Sequence, residues 1–471
     1  MSRIARMEIT TMRGKLFQLR AMLLLLWSAL SVSAFGVTGR PSTITYVDAT
    51  GQRRVYSFAI QDCIVVIDNT CGPQHLVVNH LINGTSGWED LGVPTGATSV
   101  SGPATITYLD AARQQHINTF AVASGGALDK HLVVNSGDGT TWSWANADMG
   151  AGADNSGVQS VSSAVIFVDS TGNQRIYVFV VEFSGRLAFR SWNGFYWMWH
   201  DIGVPSGATS IFAASAVSYS VTSYEELQVF VSTNSGQLSE VSASVSGCSL
   251  IQTFRGPKIY CPPETWQWSA FGAPEVSPTP SFSIFWPTAI TYVDAQGNQQ
   301  IFVFLTGFIP GTNLQGGDLL ALQKLGNDRS FRYLDFGIPP GKTGVEPGAS
   351  AITYLDASGN PQIYVSAEAN DGHLVTWSVD GSSPDIGLYG SWADQGLPAG
   401  KTAISSPDTI TYLIPACQGI CLPYFRTPHQ EIESFAVAND GHLVVNANAY
   451  GYSQFLGGFT ETWYWTDQGT R

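Results

Sequence analysis

The sequence predicts an all-β chain folded as a seven-bladed β-propeller, with four antiparallel strands in each blade. One phrase, Thr-Ile-Thr-Tyr-Val-Asp-Ala, recurs along the chain, intact or in weaker copies. Only 12% of the 471 residues are charged, whereas 44% are hydrophobic. Glycine is abundant, with 49 residues. Few charges and many glycines indicate short strands joined by tight turns rather than helices.

The aromatic residue of the recurrent phrase gives the number of repeats. It recurs at seven positions, which are Tyr46, Tyr108, Phe167, Tyr219, Tyr292, Tyr354 and Tyr412. The shortest interval is 52 residues and the longest is 73. A recurring unit of about this length with four short strands is typical of a propeller blade. The predicted blades cover residues of about 41–96, 103–152, 162–207, 214–275, 287–341, 349–400 and 407–471.

Each repeat has the same inner order. An opening strand is followed by a Gly-containing turn and a second strand. A tight turn such as Asp371-Gly-His-Leu374 then begins the third strand, and the fourth carries Trp-x-Trp and Asp-x-Gly, as in Trp197 to Gly203. Glycine supplies the positive φ of such turns, and Asp can hydrogen-bond their backbone. Repeat 4 contains an insert that runs through Cys248 to Cys261.

Residues 1–34 are interpreted as a secretory signal peptide. Five basic residues precede an apolar run from Ala21 to Leu30, and Ala34 follows as a small residue at the cleavage site. A membrane anchor is the alternative, but the run is shorter than the ~20 residues that span a bilayer. We therefore expect a secreted protein, residues 35–471, with no membrane association after cleavage. The net charge of −14 argues against nucleic acid as a partner.

The six cysteines fit an oxidising compartment, because they occur as neighbours in sequence. The predicted disulfides join Cys63 to Cys71, Cys248 to Cys261, and Cys417 to Cys421. A zinc site at the last pair is the alternative, and it is disfavoured because no second cysteine pair lies nearby. We expect no metal and no cofactor. Asn83 begins an Asn-Gly-Thr sequon and is a candidate glycosylation site.

Tryptophan recurs at the second position of the Trp-x-Trp motif. The residues are Trp88, Trp144, Trp199, Trp268, Trp392 and Trp465, with Tyr333 in blade 5. This regular set is interpreted as packing between blades. Trp192 and Trp377 break the pattern, since they lie on third strands where other blades carry Asn or aliphatic residues. These two are therefore candidates for contact with a ligand.

The turn before the third strand carries the other recurrent polar residues. They are His75, His131, His373 and His442, with Arg186 in blade 3; four residues later come Asn79, Asn135, Arg190, Trp377 and Asn446. Two interpretations remain open. The histidines form turn-stabilising hydrogen bonds, or each blade presents a polar group beside an aromatic ring, which is how proteins bind sugars. We predict these residues, with Trp192, as glycan contacts.

The frame of Asp-Gly-His-Leu, Trp-x-Trp and Asp-x-Gly resembles the seven-bladed propeller lectins of the Photorhabdus type. More loosely, it is similar to the six-bladed fungal fucose lectins. The resemblance extends over the whole mature chain in its repeat organisation. It implies multivalent binding of fucose-type or related glycans, in pockets between adjacent blades, with glycans or glycoproteins as partners. It leaves oligomerisation open.

An enzyme is the less favoured alternative, and a protein-interaction propeller is another. The stretch from Ser136 to Trp142 resembles the aspartate-box turn of sialidases, but it occurs once. Glu182, Glu368 and Glu433 are carboxylates that a glycosidase could use, yet no spacing selects two of them. Because the chain repeats equal sites rather than building one, we predict a non-catalytic lectin.

Overall fold

A computed structural model gives the fold of the chain. The structure describes residues 37–48, 50–61, 73–82, 85–110, 112–168, 174–193, 196–221, 224–245, 249–253, 256–260, 264–272, 283–294, 297–308, 317–325, 331–356, 360–381, 390–414, 429–453 and 458–470. The predicted signal peptide, the six cysteines and Asn83 lie outside the described residues, so those predictions stay predictions. In the part described, no helix is long and apolar enough to cross a membrane.

Seven antiparallel sheets follow one another along the chain and form the seven predicted blades. The strands of blades 1 to 3 are β1 (Val37–Val47), β2 (Arg53–Gln61), β3 (Leu76–Ile82), β4 (Thr85–Gly92), β5 (Ser99–Leu109), β6 (Gln115–Ser124), β7 (Leu132–Gly137), β8 (Trp142–Ser143), β9 (Asp148–Gly150), β10 (Val158–Val168), β11 (Gln174–Glu182), β12 (Leu187–Trp192) and β13 (Trp197–Gly203). A short 3-10 helix, Gly126–Leu128, precedes β7.

The remaining blades continue the same order. Their strands are β14 (Ile211–Val221), β15 (Tyr224–Thr233), β16 (Leu238–Val245), β17 (Ser249–Thr253), β18 (Gly256–Tyr260), β19 (Gln267–Gly272), β20 (Ser283–Val293), β21 (Gln299–Phe308), β22 (Asp318–Leu325), β23 (Phe331–Gly337), β24 (Ser350–Leu355), β25 (Pro361–Glu368), β26 (Leu374–Asp380), β27 (Ser391–Gly396), β28 (Asp408–Ile414), β29 (His429–Val437), β30 (Leu443–Ser453) and β31 (Gly458–Asp467).

Two blades depart from the plain four-strand order. In blade 2 the fourth strand is divided into β8 and β9, which both pair with β7. In blade 4 the insert between the third and fourth strands forms a hairpin, β17 and β18, with Ser249 opposite Tyr260. The fold class predicted from the sequence is confirmed, since every blade is an antiparallel sheet whose strands follow chain order, with only the inserted hairpin of blade 4 left out of that order.

The first strands of the blades contact one another in a closed cycle around the central channel. Each of β1, β5, β10, β14, β20, β24 and β28 contacts the next, and β28 contacts β1. Side chains at the inner edge join neighbouring blades. Ser42 Oγ accepts from Thr105 N at 3.0 Å, and Asp408 Oδ2 accepts from Thr43 N at 2.6 Å, which links blade 7 to blade 1.

Both faces of each blade are buried against neighbours. In β2, Phe58 and Ile60 pack in a cluster shared with blade 2, whereas Val55 and Ala59 pack in a cluster shared with blade 7. Successive side chains of a strand point to opposite faces, so such a strand reads as a nearly continuous apolar run. This double burial accounts for the low charge content.

The regular tryptophans join six of the blades to the blade before them. The indole Nε1 donates to the backbone carbonyl of the middle residue in the preceding Asp-x-Gly. The pairs are Trp88 to Gln468 (3.1 Å), Trp144 to Leu91 (2.6 Å), Trp199 to Met149 (2.7 Å), Trp268 to Ile202 (3.4 Å), Trp392 to Phe336 (3.0 Å) and Trp465 to Gln395 (2.9 Å). The interpretation of this set as inter-blade packing is confirmed.

We predict that Trp144→Phe destabilises the ring more than Trp142→Phe. Both changes remove similar ring area, but only the first leaves the buried Leu91 carbonyl without its donor, at a cost of about 1–3 kcal/mol in the free energy of unfolding. The Trp142 indole donates instead to the exposed carboxylate of Glu89. Urea denaturation of the two variants measures the difference. Equal losses would show that the indole hydrogen bond contributes nothing beyond packing.

Candidate functional site

The histidines of the third-strand turns bind the aspartate of their own blade's Asp-x-Gly. The Nδ1 to carboxylate distances are 3.0 Å for His75 and Asp90, 2.8 Å for His131 and Asp148, 3.0 Å for His373 and Asp394, and 2.8 Å for His442 and Asp467. Arg186 likewise pairs with Asp201. The same aspartates accept the backbone N–H of the following glycine, as in Gly92 and Asp90 at 2.8 Å. These contacts support the turn-stabilising interpretation.

Lysines strengthen this network in blades 6 and 7. Lys342 Nζ lies 2.6 Å from Asp371 and 2.8 Å from Asp394, and Lys401 makes the same two contacts in blade 7. Burial acts to raise the pKa of Asp394, but hydrogen bonds from Lys342 and His373 outweigh it and lower that pKa. The histidines and aspartates of these turns are therefore already paired with charged side chains of the protein itself.

The asparagines four residues after the histidines are buried inside the ring. Asn79, Asn135 and Asn446 are at most 2% exposed. Asn79 lies opposite Trp88 and Asn446 opposite Trp465, so each shares a sheet face with an inter-blade tryptophan. Amide atoms of all three have no hydrogen-bond partner among the described residues. They lie within inter-blade packing, and the glycan contact predicted for them stays a prediction.

The irregular aromatic residues also lie between blades. Trp377 is 2% exposed, and its ring centroid is 4.1 Å from that of Phe336 in blade 5. Trp192 is half-buried against Trp197, with centroids 5.7 Å apart. Arg190 lies over the Trp199 ring at 5.4 Å, and burial lowers its pKa. Their predicted ligand role is untested, but these positions favour packing.

An open pocket lies at the opposite end of the propeller, between blades 1 and 2. In up-and-down blades the turn after the first strand and the turn before the fourth strand share one end, away from the histidine turns. The cavity measures about 220 Å³. It is lined by Tyr46, Val47, Asp48, Arg54, Tyr56, Leu109, Arg113, Gln115, Asp138, Gly139 and Thr140.

Aromatic and charged groups are fixed side by side in this pocket. Arg54 Nε donates to Asp48 Oδ2 at 2.8 Å. The Tyr46 and Tyr56 rings stack with centroids 6.0 Å apart, and Tyr56 Oη donates to the Gly139 carbonyl at 2.7 Å across the interface. Gly139 has φ of 86°, and a Cβ there would collide with both tyrosine hydroxyls. This position therefore requires glycine.

Burial and hydrogen bonds shift the pKa values of the tyrosines and aspartates in the pocket. Burial raises the pKa of Tyr46 and of Tyr56, so both hydroxyls stay protonated. A hydrogen bond from Thr50 leads the contacts that lower the pKa of Asp48. Burial acts to raise the pKa of Asp138, but hydrogen bonds from the Thr140–Thr141 turn prevail and lower it to about 2. Asp138, Gly139 and Thr140 belong to the aspartate-box-like stretch noted in the sequence, so that stretch forms one wall of the pocket.

The pairing of Asp48 with Arg54 has counterparts in other blades. A turn aspartate binds the residue six positions later in each case. The pairs are Asp110 with His116 (3.1 Å), Asp294 with Gln300 (2.8 Å) and Asp356 with Gln362 (3.3 Å). Sequence analysis found the aromatic residue of this hairpin but missed the polar partner. The recurrent offset of six was the signal available.

At three other interfaces the protein's own charged groups occupy the corresponding space. Tyr177 donates to Glu264 between blades 3 and 4. Lys324 Nζ lies 2.7 Å from Glu240 between blades 5 and 4. Between blades 1 and 7 the Arg53 guanidinium lies 3.8 Å from the Tyr412 ring centroid. Within the described residues, the pocket of blades 1 and 2 keeps its arginine and tyrosines beside a cavity.

The three candidate catalytic carboxylates lie in three different blades. Glu182 in blade 3 accepts from the backbone of Ala153 and Asp154, and burial raises its pKa. Burial raises the pKa of Glu368 in blade 6 to about 7. Glu433 in blade 7 accepts from Tyr412 at 2.9 Å. The fold gives these residues separate surroundings rather than a shared site.

Comparison with known proteins identifies the fold. No family model and no curated protein matches the chain. Among solved structures, BP39L lectin from Burkholderia pseudomallei matches with a TM-score of 0.54 at 17% identity, over 88% of this chain and 96% of that chain. The chain is thus a seven-bladed β-propeller, and its predicted resemblance to propeller lectins is confirmed at the level of the fold.

Two fungal proteins match less well. The Aleuria aurantia lectin, solved in complex with alpha-methyl-L-fucoside, has a TM-score of 0.40 at 15% identity, over 79% of this chain and 96% of that chain. AofleA from Arthrobotrys oligospora has a TM-score of 0.43 at 12% identity, over 77% of this chain and 88% of that chain.

We predict that Trp377→Ala unfolds the ring more readily than His373→Ala does. Removing the buried indole costs about 3–5 kcal/mol of the free energy of unfolding. The half-exposed histidine forms a hydrogen bond to a charged partner, worth about 1.5–3 kcal/mol. Chemical denaturation of the two single variants gives both values. A Trp377→Ala variant as stable as the parent chain would return Trp377 to the set of ligand candidates.

Proposed function

We propose that the chain is a secreted, multivalent, non-catalytic lectin that binds fucose-type or related glycans in pockets between blades. The pocket between blades 1 and 2 carries this proposal. A sugar ring offers hydroxyl groups to planar polar partners and a less polar face to aromatic or aliphatic side chains. Arg54, Asp138 and Gln115 supply the first kind of partner, and Tyr46 and the half-exposed Leu109 supply the second.

The size of the pocket suits one sugar residue. Its volume of about 220 Å³ lies below the ~300–1,000 Å³ of sites for drug-sized ligands. Arg54 remains 22% exposed while Asp48 holds it, so its orientation is set before a ligand arrives. The chain also shares its fold with a protein described as a lectin.

The proposal of several binding sites rests on the hairpin between the first and second strands, which recurs in other blades. Blades 2, 5 and 6 keep the turn aspartate and a polar partner, which offers further positions of related chemistry. Glu264, Lys324 and Arg53 occupy the corresponding space at three interfaces. We therefore propose fewer than seven working sites, with the strongest between blades 1 and 2. Secretion rests on the signal-like residues 1–34 and the paired cysteines.

We predict that Arg54→Gln weakens glycan binding about tenfold, which is about 1.4 kcal/mol. Glutamine occupies the equivalent position in blades 5 and 6 and still bonds the turn aspartate there, so the hairpin survives the change. A glycan array with the secreted protein identifies the sugars, and calorimetry with the best ligand measures affinity.

Arg186→Gln is the matched control, because Arg186 is also held by an aspartate but lies at the histidine end. It should bind glycans like the parent chain. If Arg186→Gln loses binding and Arg54→Gln does not, the site lies at the other end. If the folded parent chain binds no glycan on the array, the lectin proposal fails.

Glycan affinity is expected to stay constant between about pH 5 and 8. The pKa of Asp48 is lowered and the pKa of Arg54 is raised, so both remain charged, while the raised pKa of Tyr46 keeps its hydroxyl neutral. Histidine side chains as a class titrate within this range. An affinity that changes strongly between pH 5 and 8 would show that a group other than Asp48, Arg54 and Tyr46 controls binding.

A further inference from the structure

A second cavity lies on the axis of the ring rather than between blades. Its volume is about 470 Å³, and residues from the first strands of blades 1, 2, 3, 4 and 5 and from Asp408 of blade 7 line it. These strands surround the channel, so this cavity is separate from the pocket of blades 1 and 2. Its size falls within the ~300–1,000 Å³ of small-molecule sites.

Aromatic side chains form one wall of this cavity. Phe212 of blade 4 is 51% exposed and Trp286 of blade 5 is 52% exposed. Phe285 bridges them, with ring centroids 6.1 Å from each. Exposed apolar rings that cluster at a cavity mark a binding surface more often than scattered ones do. The wall therefore offers an apolar aromatic surface to a ligand.

The backbone of Trp286 adds a second, independent observation. Its φ is 38°, in the left-handed region, which is unusual and strained for a bulky residue. The strand β20 carries a bulge there, between Phe285 and Thr288. Bulges redirect side chains and are common beside functional sites. The fold thus maintains a strained conformation that presents an indole to the channel.

A cation with unused donors lines the same cavity. Arg40 of blade 1 has a side chain that is 37% exposed, and its contact among the described residues is Asp408 at 3.4 Å. A guanidinium has five N–H donors, so most of them remain available. Asp408 also accepts from Thr43 N at 2.6 Å, so Arg40 shares this carboxylate with the backbone, and burial raises the pKa of Asp408.

We propose that the channel binds a small carboxylate that carries a flat ring. The ring packs on Trp286 and Phe212, and the carboxylate accepts hydrogen bonds from Arg40, for which a carboxylate is the matching bidentate partner. The surrounding Ser and Thr side chains suit further polar groups of the ligand. This site goes beyond the proposed glycan pocket and does not depend on it.

The test uses the full chain with two matched probes, phenylacetate and the neutral phenylacetamide, in ligand-observed NMR titrations. We expect saturable binding of phenylacetate, with phenylacetamide at least tenfold weaker. Trp286→Ala and Arg40→Gln should each weaken phenylacetate at least tenfold, and Phe212→Ala replaces the first if it does not fold. Tyr464→Ala is the control, because Tyr464 is equally exposed, at 50%, on an outer strand.

Three results would overturn the channel site. They are no saturable phenylacetate binding by the intact chain, equal affinity for the two probes, or equal weakening by Tyr464→Ala. The glycan measurements separate the two proposals. Arg54→Gln should leave phenylacetate binding unchanged, and Trp286→Ala should leave glycan binding unchanged, so either site can fail without the other.

Discussion

The ring depends on one repeated contact, in which a tryptophan of six of the seven blades packs on the preceding blade and donates to its Asp-x-Gly carbonyl. The indole covers apolar surface that no single sheet can bury alone, and its N–H satisfies a carbonyl that the glycine turn leaves exposed to the interface. Blade 5 has Tyr333 instead of tryptophan, and the preceding blade ends in Ala270, Phe271 and Gly272 rather than Asp-x-Gly. The tryptophan and the Asp-x-Gly motif are therefore both replaced at the same interface.

Six of the seven interfaces share this tryptophan contact, but the interfaces differ in polarity. In each blade, one row of paired residues runs across the first three strands towards the second position of the Trp-x-Trp motif. In blades 1, 2 and 7 this row is polar, as in Thr43, Ser57 and Asn79. In blades 3 to 6 the row starts with alanine and valine, as in Ala351 and Val365. Polar rows gain hydrogen bonds, such as the one between Thr43 and Ser57 at 3.1 Å, but their buried amide atoms without partners among the described residues cost stability. They make the interfaces around the closure of the ring chemically different from the rest, which favours one pairing of blade 7 with blade 1 over alternatives.

The sequence predicted the fold because each structural rule appears several times. Turn glycines, Asp-x-Gly and the tryptophans recur at matching positions, so repetition averages out local exceptions. The candidate site was harder to predict from the sequence. His75 next to Leu76 reads equally well as a ligand contact or a turn bond, and only the position of Asp90 decides. The contact of Tyr56 with Gly139 joins residues 83 positions apart, and no local pattern reveals which inter-blade space stays empty.

Packing and binding draw on the same residues in this architecture. An inter-blade space that receives Glu264, Lys324 or Arg53 from the chain itself is closed by an internal ion pair or hydrogen bond. The space between blades 1 and 2 receives Gly139, which brings a backbone carbonyl and no side chain, so Arg54 and Tyr46 keep surface that protein atoms do not cover. A cavity therefore remains where the repeat supplies no side chain to fill the space, and the neighbouring turn fixes the orientation of the side chains that line it. In the pocket between blades 1 and 2, the turn aspartate Asp48 does this by holding the Arg54 guanidinium at 2.8 Å.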